Sequence, residues 1–230
     1  MRRAPALAAA LIVLAAVAPP ARSECPGTTY VTYPAPFTTY SPVHDTTIVF
    51  PTYNTTARGR YHVGAGQIGA ESQSPCCVAS IETVHEDDFT LIGIAPGTPF
   101  TLTATARFTG RVTSNGAPPP IGEGEGASIT GRLRDALGNE APTGISVGGT
   151  GDLTLDQTVA LPVTGTAGTP FRLRLSGEAL TKAGFASIQG VLTFAGLPAG
   201  ASVISCRGYS SAMPVPVRTA TWGAIKTLYR

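Results

Sequence analysis

The stretch GTPFTLTATARFTG, residues 97–110, decides the fold class. From Phe100 onward, Phe100, Leu102, Ala104, Ala106 and Phe108 alternate with Thr101, Thr103, Thr105, Arg107 and Thr109. A two-residue period sends the first set to one side of a strand and the second set to the other, so one face meets a core and one meets water. The phrase GTPF returns at residues 168–171, where Phe171, Leu173 and Leu175 alternate against Arg172, Arg174 and Ser176. In both copies glycine supplies a permissive turn and threonine before proline is held extended. Proline then starts the strand where its missing N–H costs least, and phenylalanine is the first residue to face the core.

Working outward, the same test finds strands or strand pairs at residues 46–50, 60–64, 77–84, 89–94, 127–135, 151–163, 186–197 and 201–209. About ten strands at short spacing, with almost no helical period, predict an all-β, antiparallel β-sandwich, jelly-roll-like or Ig-like. Residues 113–127, TSNGAPPPIGEGEGA, hold too many Gly and Pro residues for a packed element and read as a surface loop or a boundary between halves. The sandwich spans residues 24–213. Its first part, 24–58, reads as an extended arm laid on the sandwich, with room for an edge strand. Residues 214–230, set off by Pro214 and Pro216, form a C-terminal tail in which Trp222, Ile225, Lys226 and Tyr229 would share one face of a short helix.

The opening MRRAPALAAALIVLAAVAPPARS pairs two arginines with an apolar run from Ala6 to Ala18 and small residues, Ala21 and Ser23, at cleavage positions. It reads as a secretory signal peptide, residues 1–23, too short for a comfortable membrane span. Glu24 ahead of Cys25 argues against a lipid-anchored cysteine. Cleavage removes three arginines, leaving thirteen basic residues against fourteen acidic ones. A near-neutral chain offers no long-range field for nucleic acid or an anionic membrane, so neither partner is expected, nor any span in the mature chain.

An exported chain with four cysteines, Cys25, Cys76, Cys77 and Cys206, predicts a disulfide-linked domain with two bridges. Adjacent cysteines stand about 3.8 Å apart at Cα, below the usual disulfide range, so a Cys76–Cys77 ring would be strained. The pairing expected is Cys77 with Cys206 and Cys76 with Cys25. Neighbouring cysteines without a two-residue gap, and no histidine pair at ligand spacing, speak against zinc. No cofactor is expected.

HEDDF, residues 85–89, with Glu82 upstream, is the densest acidic run. Glu86, Asp87 and Asp88 are calcium candidates, but the plainer reading is a solvated hairpin turn between IETV and FTLIGI. Arg132, Arg134, Arg172 and Arg174 each point outward if their leucine neighbours point inward; on adjacent strands they would form a strip for carboxylated or sulfated glycans, or simply a solvated face. Tyr30, Tyr33, Phe37, Tyr40 and Tyr53 could stack on sugar rings or pin the arm to the core. No G-x-S-x-G elbow or H-E-x-x-H motif is present, and His44, His62 and His85 are scattered. A glycosidase pair of carboxylates would converge only in the fold.

Residues 165–209, running from the second GTPF to LTFAGLPAGASVISCRGY at 192–209, resemble a recurring ending of exported bacterial β-sandwich domains of the kind found in PEP-CTERM-type secreted proteins. The sorting tag of that group, an apolar helix with a basic cluster, has no counterpart here. The resemblance implies an extracellular protein of a class without established catalysis. The function expected is therefore that of a secreted or cell-surface, non-catalytic β-sandwich with a structural or surface-interaction role, and its partner an extracellular glycan or cell-surface component. The alternatives are a carbohydrate-binding module and, third, a secreted hydrolase.

Overall fold

A computed structural model describes residues 29–33, 35–38, 43–51, 54–115 and 126–211. Cys25, Tyr40, Tyr53, the expected signal peptide and the expected tail at 214–230 lie outside these residues. Thirteen strands are described: β1 (Thr29–Tyr33), β2 (Ala35–Thr38), β3 (Val43–Phe50), β4 (Thr55–His62), β5 (Gln67–Ser74), β6 (Ala79–Ile92), β7 (Pro99–Asn115), β8 (Ala127–Asp135), β9 (Glu140–Val147), β10 (Thr150–Thr166), β11 (Phe171–Thr181), β12 (Gly184–Ala195) and β13 (Ser202–Ser205). They form two antiparallel sheets. One runs β2-β1-β6-β11-β8-β9, with β13 also on β6; the other runs β10-β7-β12-β5-β4-β3. The chain changes sheet repeatedly, and at β2 to β3 and β9 to β10 the crossing links edge strands of the two sheets.

The alternation read at residues 100–108 holds in β7, whose Phe100, Leu102, Ala104, Ala106 and Phe108 are all buried. The two GTPF phrases open strands in opposite sheets, β7 and β11. Gly97 and Gly168 share the left-handed backbone, φ +85° and +83°, that glycine adopts without penalty. The phrases also meet: the N–H of Gly97 donates to the carbonyl of Ala167 at 3.0 Å, and the rings of Phe100 and Phe171 lie 5.9 Å apart. Phe89, Phe194 and Tyr209 complete that aromatic end of the core. In the middle, Phe108 fills space left by glycines on either side. A Cβ on Gly131 would stand 2.5 Å from its ring, and one on Gly190 would stand 2.7 Å away.

Three expectations are corrected. HEDDF is not a hairpin turn, because β6 runs unbroken through it from Ala79 to Ile92. Its inward face carries Thr83, His85 and Asp87 among the apolar residues, and these polar groups disguise the alternation. The segment 113–127 begins as strand, since β7 continues to Asn115. Finally, Cys77 does not reach Cys206. Cys77 precedes β6, whereas the Cys206 N–H donates to the carbonyl of Asp88 at 3.1 Å. The strand from Ala79 to Asp88 alone spans about 30 Å at the usual rise, far beyond any disulfide. Cys77 remains a thiol whose pKa is raised, first by a hydrogen bond with Cys76.

Candidate functional site

The outer face of the seven-stranded sheet holds both charged motifs found in the sequence. β11 pairs with β8 so that Arg174 stands opposite Arg134, and it pairs with β6 so that Arg174 stands opposite Glu86 and Arg172 opposite Asp88. The four arginines therefore share one face with the acidic run. Arg172 grips Asp88 with two hydrogen bonds, 2.7 and 3.1 Å, and approaches Glu86 at 3.9 Å. Arg174 pairs with Glu82 at 3.5 Å, and Arg132 with Glu140 at 3.7 Å. The two motifs neutralise each other, which leaves little net charge to draw an anion. Glu86 and Asp88 face outward while Asp87 is buried on the inner face, so the three calcium candidates do not converge. Among the described residues no cluster of three or more His, Cys, Asp or Glu side chains is placed to hold a metal.

Asp87 has a structural task. Its carboxylate accepts from the N–H of Asp88 at 2.8 Å and from that of Arg207 at 3.2 Å, tying the turn after β13 to β6. Burial raises its pKa, and these hydrogen bonds pull the other way. Tyr30, Tyr33 and Phe37 sit on the β1–β2 hairpin at the edge of the same sheet, where Tyr30 pairs with Thr38 and Val84 and Tyr33 with Ala35. That hairpin and β3 give the expected arm three strands.

The six-stranded sheet presents a broader polar face. Its register sets Asp45, Arg60, Gly69, Gln189, Thr109 and Asp156 in one row across all six strands. Three of its arginines are committed to aspartates: Arg107 to Asp156 through bonds of 2.9 and 2.7 Å, Arg111 to Asp152, and Arg58 to Asp45. The three aspartates hold their protons less readily than an ordinary carboxyl, each first because of its arginine.

Arg60 differs, having no ion-pair partner among the described residues. Its stem lies across Gly69, where a Cβ would come within 2.6 Å of its Nε. Arg60 lines a groove of about 370 Å³, within the size range of small-ligand sites. Asp45, Arg60, His62, Gln67 and Gln189 bring polar groups to it, and Val43 and Val191 form apolar walls. His62 accepts the Ala65 N–H on Nδ1 at 3.1 Å. With Nδ1 accepting, the ring proton sits on Nε2, as a donor. Beneath, Tyr61 is buried and stacks on His44 with ring centroids 5.4 Å apart.

None of these groove residues carries a recognisable motif. The one sequence signal was a glycine inside a strand, which marks a close approach by a neighbour.

No known protein family matches the chain, and no curated protein matches it. Among solved structures it is similar to an arabinose-bound α-L-arabinofuranosidase, at 10% identity and a TM-score of 0.28, over 76% of this chain and 25% of that one. It is also similar to the enzymatically active domain of tailspike protein 4 from bacteriophage CBA120, at 10% identity and a TM-score of 0.18, over 67% of this chain and 19% of that one. The chain thus spans about a quarter of the first protein and a fifth of the second.

Proposed function

We propose that this chain is an exported, non-catalytic β-sandwich that acts by surface contact, and that its partner is an extracellular glycan held on the outer face of the six-stranded sheet. The observation that carries the reading is the groove at Arg60, where amide, imidazole and guanidinium groups converge between two valines. Polyhydroxylated ligands need such mixed donors and acceptors beside apolar walls. The alternative reading as a carbohydrate-binding module thus becomes the specific form of the surface-interaction role.

A glycosidase needs one carboxyl held protonated near neutral pH. On this face Asp45, Asp152 and Asp156 are all pulled the other way by arginines, which favours binding over hydrolysis. A glycan array probed with the secreted protein tests the proposal, with reducing-end release measured on every glycan bound. Binding without release supports it. No binding to any glycan, or release from a bound one, overturns it. The resemblance to exported bacterial sandwich domains belongs to the same proposal, and recovery of the protein outside the cell tests that part.

A disulfide linking the two ends of the domain fits an exported chain. β1 and β13 lie along the same edge of β6, with Thr29 opposite His85 and Ser205 opposite Phe89. In sequence Cys25 precedes Thr29 by four residues, a length of chain of at most about 14 Å, which matches the separation of about 13 Å that His85 and Phe89 set along that edge. The bridge proposed is therefore Cys25–Cys206, with Cys76 and Cys77 as thiols ahead of β6. Mass spectrometry of a non-reduced digest reads it directly, and a peptide joining Cys25 to Cys76 or Cys77 would refute it.

A further inference from the structure

We infer that the groove beside Arg60 is selective for an acidic saccharide, one that carries a uronate carboxylate. The inference rests on the glycan-binding reading above and goes beyond it by naming the ligand's charge and the group that recognises it. On the outer face of the six-stranded sheet, Arg58, Arg107 and Arg111 are each held by an aspartate. Asp45 is the acid nearest in register to Arg60, the two being direct β3–β4 partners, but both its carboxylate oxygens are taken by Arg58. Asp45 lines the groove too and its field reaches Arg60, but with its oxygens engaged by Arg58, Arg60 is left as the lining's guanidinium without an ion pair among the described residues, its stem lying over Gly69.

A guanidinium is a planar fork that matches the two oxygens of a carboxylate. Around it the other groups suit a sugar ring. Gln67 and Gln189 can each donate and accept, as vicinal hydroxyls require, and His62 donates from Nε2. Val43 and Val191 offer apolar contact to the C–H side of a ring. Arg60 is the lining's single arginine and no lysine joins it, while Asp45 brings one carboxylate on the β3 side. One carboxylate fits that charge, whereas a densely sulfated chain would bring several anions to a face whose other arginines are already neutralised.

The test is calorimetric titration of the full secreted protein with short oligogalacturonates and oligoglucuronates, with neutral oligosaccharides of the same linkage, and with a sulfated neutral galactan. Uronate oligomers should bind at least tenfold more tightly than their neutral counterparts. Arg60→Gln should weaken them by about tenfold to a hundredfold, the range of a charge-assisted pair, while leaving the thermal midpoint in place. Arg60→Lys, which keeps the charge and loses the fork, should fall between. Gln189→Ala, from a different strand, should weaken uronate and neutral oligomers alike and gives a second route if Arg60→Gln does not fold. Equal affinity for neutral and uronate oligomers, no effect of Arg60→Gln, or a preference for the sulfated galactan would each overturn the acidic-sugar assignment while the glycan-binding reading stands. Absence of binding to every saccharide would overturn both.

Discussion

Acidification should destabilise this sandwich through one residue, His85. The imidazole is on the inner face of β6, 1% exposed, edge-on to Phe89 with centroids 6.4 Å apart. Burial, and then the charge of Arg207, push its pKa from 6.5 down to about 4. The unfolded chain therefore binds a proton at a pH where the folded chain refuses it. Stability is complete above the unfolded value and is lost as pH falls through 6.5 toward 4. The gap corresponds to about 3.4 kcal/mol once pH is well below 4, and to about 2.5 kcal/mol at pH 4.5. Asp87, on the same inner face, works in the opposite sense. Its raised pKa makes the folded state the better proton binder, so its contribution falls as pH rises. Asp45, Asp152 and Asp156, with lowered values, add to the acid loss. A comparison of the wild type with His85→Leu cancels these shared terms. Urea unfolding at pH 7 and pH 4.5 should show the wild type losing about 2.5 kcal/mol more than the variant between the two conditions. Equal losses would show that His85 is protonated within the fold and that the reasoning from burial is wrong.

Other expectations follow from packing and charge. Gly131→Ala places a methyl carbon against the Phe108 ring and should cost about 1–3 kcal/mol by overpacking, read as a drop in the urea midpoint. Phe108→Ala should cost about 3–5 kcal/mol, the range for a fully buried aromatic. Arg172→Ala removes the grip on Asp88, yet the pair is partly exposed and should be worth only about 0.5–1 kcal/mol, shrinking further in high salt. Cys77, with its thiol pKa raised by Cys76, should react with iodoacetamide more slowly at pH 8 than an ordinary exposed thiol, and a faster rate would contradict the thiol contact.

The strands that face one apolar core were legible because their alternation is pure. β7 and β11 show it without interruption, and the repeated GTPF correctly marked strand entry. β6 was misread as two strands for a physical reason: three inward positions carry Thr83, His85 and Asp87, which satisfy interior tasks that a period-two test scores as solvent. Thr83, for example, donates across the sandwich to the Gly69 carbonyl at 2.8 Å. The outward arginines were found, but their neutralisation by Glu82, Glu86, Asp88 and Glu140 depends on strand order, which alternation does not encode. The groove was missed for the same reason. It draws Val43, Arg60, Gln67 and Gln189 from β3, β4, β5 and β12, and each is an unremarkable polar or edge residue until register brings them together.

The shared edge of β6 has a topological consequence. β13 runs along it from Ile92 toward Phe89, and β1 continues in the same direction from His85 toward Glu82. The last described strand thus points at the first described one. Ser211, whose N–H donates to the Val203 carbonyl, lies about 20 Å along the edge from Thr29 at the usual rise per residue. A linker of about ten residues would join them, and new ends could be opened between Asn115 at the end of β7 and Ala127 at the start of β8. Such a circular permutant keeps every described strand pair and places the new ends where β7 and β8 meet the break.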